Sequence, residues 1–64
     1  MVRINGEEKA AEGMTVAAYL EAAAFNTARV VVERNGEILP KERYATTALR
    51  EGDEVEIVCF MGGG

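Results

Sequence analysis

Gly62, Gly63 and Gly64 follow directly on an apolar alternating run and put a carboxylate at the end of a segment without side chains. Ordering glycine costs more backbone entropy than ordering any other residue and adds nothing to a core, so stability gives no reason for three in a row. Chemistry at the carboxylate does give one. Without β-carbons the segment can thread a narrow channel in a partner, and the Gly64 carboxylate is open to a nucleophile or a phosphorus centre. Four extended residues from Met61 reach about 13 Å, the depth of a buried active site. On the glycines alone, a frayed terminus is the plain alternative.

The rest of the chain brings no catalytic set of its own. It has no histidine, serine or tryptophan and a single cysteine, Cys59. Serine and cysteine triads, histidine or multi-cysteine metal sites and an intramolecular disulfide are thereby removed. A chain of 64 residues is one small domain, burying about 60% of its unfolded surface, too thin for an enclosed active site. No catalytic residue and no metal ligand is assigned. There is no charged-then-apolar leader and no long apolar span, so the sequence reads as cytoplasmic, with no membrane partner. Eleven acidic against seven basic side chains give a net charge of −4, the wrong sign for nucleic acid. The acids are scattered as on a solvated surface; their sharper use is against a basic docking face on a partner.

The elements that must position the carboxyl end follow from local pattern. Val2 and Ile4 alternate with Arg3 and Asn5, and Asn5-Gly6 supplies a two-residue hairpin turn. The second arm, about residues 7–11, is rich in Glu and Lys and suits a guarded edge strand. Thr15 is placed to cap a helix starting at Val16, with Met14 and Tyr19 as a hydrophobic staple. Val16, Leu20, Ala23 and Ala24 share one helical face. The β-branched run Val30, Val31, Val32 predicts a strand, Asn35-Gly36 repeats the hairpin signal, and Pro40 ends the short return strand Glu37 to Leu39. Lys41 to Tyr44 fits one helical turn inside a segment, 40–51, with no clean period. A turn at Glu51, Gly52 and Asp53 leads into the last strand, Glu54 to Phe60.

Hairpin, helix, hairpin, strand implies that the last strand lies beside the first, because one helix needs a continuous sheet to cover. The fold class is α+β, a β-grasp: a mixed sheet of four to five strands on one helix, residues 1–61, with a flexible glycine tail, 62–64. Val55, Ile57 and Cys59 then face the helix. Val58 and Phe60, with Met61, are left beside the tail as a docking surface for a partner. Cys59 is read as a small buried hydrophobe, with a sulfur-relaying role as the alternative.

The segment MTVAAYL entering the helix, the block VVVERNGEILPKERY, the turn and strand LREGDEVEIV and the closing GGG resemble the ThiS family of thiamin-biosynthesis sulfur carrier proteins, over nearly the whole chain. The resemblance implies a ubiquitin-like β-grasp fold and a carrier, not an enzyme. A partner related to the ubiquitin-activating enzymes uses ATP and magnesium, neither bound by this chain, to adenylate the Gly64 carboxylate, while Gly62 and Gly63 thread the channel. A sulfur donor, such as a cysteine desulfurase relay, then displaces AMP to leave a thiocarboxylate. Thiazole synthase takes the sulfur. The small subunit of molybdopterin synthase shares this fold and end, and a ubiquitin-like protein modifier joined to lysines through Gly64 is a further alternative.

Overall fold

The computed structural model describes residues 1–60. Val2–Ile4 (β1) and Glu7–Lys9 (β2) form the first hairpin, and Val30–Arg34 (β3) and Glu37–Leu39 (β4) the second. Both turns are Asn-Gly with positive φ throughout, 51° and 82° at Asn5 and Gly6, and 52° and 86° at Asn35 and Gly36. That backbone matches the right-handed twist of the strands it joins, and these two residue types tolerate it best. Glu54–Cys59 (β5) enters the sheet between the hairpins, parallel to β1 and antiparallel to β3, giving the order β2-β1-β5-β3-β4. One helix, Val16–Ala22 (α1), covers one face. This is the β-grasp arrangement, a mixed five-stranded sheet on a single helix.

The core is built from alternate strand residues: Val2 and Ile4, Val30 and Val32, Val55 and Ile57, met by Val16 and Leu20 of α1. Tyr44 and Leu49 close it from the segment 40–51. That segment lacks a period because its backbone serves the helix. The first amides of a helix have no partner inside it, and here Val16 N–H donates to the Thr47 carbonyl and Ala17 N–H to that of Tyr44, each at 2.9 Å. Thr15 Oγ1 accepts from Ala18 N–H at 3.1 Å, as its cap position requires. The turn after Pro40 is a short 3-10 helix, Lys41–Arg43, and a second one, Thr27–Arg29, precedes β3.

Three expectations are corrected. Ala23 and Ala24 do not extend the buried face of α1: the helix stops at Ala22, and Ala24 turns into the left-handed region at φ 64°. Phe25 N–H then reaches back to the Leu20 carbonyl at 2.8 Å, so the chain reverses while closing the last carbonyls. Both alanines are exposed. The second hairpin arm ends at Lys9, and Ala11 turns inward to the core. Cys59 is exposed although it shares the inward parity of Ile57. It is the last residue of β5, and burial on that strand ends at Ile57. Among the described residues, no helix is long and apolar enough to cross a membrane.

The two hairpin turns also bind β5 through side chains. Asn5 Oδ1 accepts from Ile57 N–H at 2.8 Å while Asn5 Nδ2 donates to the Ile57 carbonyl at 3.3 Å, extending the ladder by one residue. At the other turn, Asn35 Oδ1 accepts from Glu54 N–H, and Asn35 Nδ2 donates to Asp53 Oδ1 at 3.1 Å. Asp53 is the one buried acid among the described residues, and its other oxygen accepts from Arg34 Nε and Arg50 N–H, each at 2.9 Å. Burial pushes the Asp53 carboxyl up, but the donors from Arg50, Asn35 and Arg34, with the Arg34 charge, outweigh it and leave its pKa below the ordinary aspartate value.

A depressed folded pKa contributes stability that is present above the unfolded value, about 3.9, and lost as pH falls through the folded one. Asp53→Asn is therefore expected to cost about 1 to 3 kcal/mol at neutral pH. It should also flatten the fall in melting temperature below about pH 4. Thermal melts of both chains across that range check it, and parallel curves would remove Asp53 from the acid response.

Candidate functional site

The sheet face away from α1 divides into an apolar and a charged half. Val31 pairs directly with Val58, and Glu33 with Ile38, so Val31, Ile38 and Val58 share this outer face. Ile38 is 68% exposed, Val58 53% and Phe60, which follows β5, 58%. Across β5 toward the first hairpin the same face carries Glu54, Glu56, Arg3 and Glu8. Arg3 holds Glu8 at 3.3 Å and Glu54 at 3.6 Å. Large exposed apolar residues are ordinary when scattered, but a group of them gathered across β4, β3 and the end of β5 makes a candidate docking surface.

The sequence-predicted site residues fall in two sets. Val58 and Phe60 are described and exposed. Met61, Gly62, Gly63 and Gly64 lie outside the described residues. The last backbone link among the described residues is Phe60 N–H donating to the Arg29 carbonyl at 2.7 Å, which sets Phe60, where the described chain ends, beside the 3-10 turn Thr27–Arg29. Sequence reasoning missed Val31 and Ile38. The triple-valine run conceals which valine faces outward, and Ile38 joins the patch only through the β3–β4 register. Among the described residues no group of three or more His, Cys, Asp or Glu could hold a metal ion.

The sequence pattern of the ThiS family matches residues 2–64. The chain belongs to the ThiS family. It is 40% identical to the sulfur carrier protein ThiS of Bacillus subtilis strain 168, with all of both chains covered. It is also 50% identical over 62 residues to a thiazole synthase of Paramagnetospirillum magneticum, covering 95% of this chain and 19% of that protein. The chain thus spans about a fifth of the thiazole synthases it matches. Among solved structures it resembles the crystal structure of the thiamine biosynthesis protein ThiS from Geobacter metallireducens, with a TM-score of 0.77 and 37% identity, covering 98% of this chain and 97% of that one.

Proposed function

We propose that this ThiS-family chain carries sulfur for the thiazole ring of thiamin, on its Gly64 carboxylate. The observation that supports this best is a family match running to Gly64 in a chain whose full-length relative is named a sulfur carrier protein. A carboxylate is a poor electrophile. Attack of a Gly64 carboxylate oxygen on the α-phosphorus of ATP expels pyrophosphate and leaves an acyl adenylate, whose AMP is a good leaving group. A persulfide sulfur of the donor then attacks the acyl carbon and AMP departs, giving an acyl disulfide; a second thiol cleaves its S–S bond, leaving the thiocarboxylate on Gly64 and a disulfide on the donor side. Magnesium and the cationic groups that stabilise charge at phosphorus belong to the adenylating partner. This chain is its protein co-substrate, binds no cofactor itself, and works in the cytoplasm, where a cysteine desulfurase relay supplies the sulfur.

Thiazole synthase is the acceptor in this reading. Support comes from two relatives of that name that contain a stretch 50% and 38% identical to this chain. The test is an intact mass measurement after expression beside the adenylating and sulfur-donating enzymes of its own host. Replacement of one oxygen by sulfur is the expected result; an unchanged mass with active enzymes, or a covalent adduct on lysines of other proteins, would overturn it.

Docking in this proposal runs through Val58, Phe60 and Met61, joined by Val31 and Ile38. Phe60→Asp should leave the fold intact, since the side chain is exposed, and weaken binding to the adenylating enzyme by about 2 kcal/mol or more, as for a charge stranded in an interface centre. Titration calorimetry and circular dichroism separate the two effects. A collapse of the dichroism alongside binding would make Phe60 a structural residue instead.

A further inference from the structure

We infer that the two 3-10 turns beside Phe60, the exit point of the described chain, form a cationic collar that seats an acidic rim around the partner's channel. The inference rests on the carrier reading and adds to it the surface that sets the angle of entry. Arg3, Lys9 and Arg34 are committed to ion pairs within the domain. Arg29, Lys41, Arg43 and Arg50 make none among the described residues. Three of those four lie on the turns Thr27–Arg29 and Lys41–Arg43, where Glu42 is the one acid.

The fold ties these turns to each other and to the exit. Lys41 Nζ donates to the Ala28 carbonyl at 3.0 Å, and the next carbonyl, that of Arg29, accepts Phe60 N–H. Between the turns and α1 lies a hollow of about 400 Å³ lined by Ala17, Thr27, Ala28, Lys41, Tyr44 and Ala45. Small side chains and one aromatic ring beneath a lysine suit an apolar side chain from a loop whose carboxylates meet Arg29 and Lys41.

Charge identifies the occupant. The molecule is acidic overall, at −4, and its outer sheet face carries Glu8, Glu33, Glu54 and Glu56 against Arg3, which pairs with Glu8 and Glu54. A partner that accepts the carboxyl end must therefore be basic opposite the sheet and acidic opposite the turns. Any other rotation about the exit sets like charges together, which costs affinity and slows encounter. The two surfaces thus orient the domain before the end of the chain enters.

The experiment is ATP–pyrophosphate exchange with the adenylating enzyme of the chain's own host, comparing the intact chain, Arg29→Glu and Arg29→Glu/Lys41→Glu. Arg29 enters the hydrogen bonds of the fold only through its backbone N–H and carbonyl, so the single variant keeps every hydrogen bond named here, and thermal melts check folding for both. The collar predicts a KM for the carrier raised about tenfold, with kcat unchanged and a gap that closes as ionic strength rises. Equal KM values with an active intact chain, or a loss confined to kcat, would overturn the collar and leave the carrier reading standing. No exchange from the intact chain with an enzyme active on its own carrier would remove both.

Discussion

Leu20→Ala should lower the stability of the domain by about 2 to 5 kcal/mol, the range for removing a fully buried leucine from a core that cannot collapse onto the gap. Leu20 has 0% exposure and is the largest of the fully buried side chains. It sits mid-way along the only α-helix of the described residues, opposite valines and isoleucines of three central strands. A domain of 64 residues has a total stability of roughly 3 to 10 kcal/mol, so the loss is comparable to the whole. Urea and thermal melts measure it. Ile38→Ala is the matched control, because Ile38 is 68% exposed on the outer face and should shift stability by no more than about 0.5 kcal/mol. Equal melts for the two variants would mean that α1 is not seated by Leu20.

Local rules made much of this fold legible. Each Asn-Gly pair names its turn, Thr15 names the start of α1, and alternation in β5 separates Val55 and Ile57 from Val58. What was illegible depends on non-local facts. An alanine run has the highest helix propensity there is, so nothing in residues 22–24 announces that Ala24 takes a φ of 64°; docking of Phe25 onto the core decides it. Period-two alternation assigns Cys59 a side of the sheet but cannot say where the cover ends. Asp53 looks like any of eleven acids until the second hairpin brings Arg34 and Asn35 against it. The segment 40–51 carries no period because its carbonyls serve α1 rather than a ladder of its own.

The same division holds for the site. Terminal glycines and an exposed apolar pair are matters of residue type, visible without a fold. Val31 and Ile38 enter the patch only through strand register, and Arg29 comes to the exit only because its carbonyl accepts the amide of Phe60, 31 positions later by the numbering.

The largest functional effect belongs to the residue that would carry the chemistry. Adding one alanine after Gly64, or deleting Gly64, is expected to abolish ATP-dependent adenylation on the proposed reading, since each change moves the reacting carboxylate by one residue along a channel of fixed depth. Misplacing reacting atoms by even an ångström costs about a hundredfold, and one extended residue is about 3.5 Å. Melting temperature should not move, because the buried core among the described residues ends at Ile57. Gly63→Val should fall between, as a β-branched side chain restricts the backbone and narrows the passage while the carboxylate stays in place. Pyrophosphate exchange on the four chains, with an enzyme active on its own carrier, gives the order. Exchange from the extended chain equal to that of the intact one would remove the carboxylate from the reaction and, with it, any reason to thread three glycines into a partner.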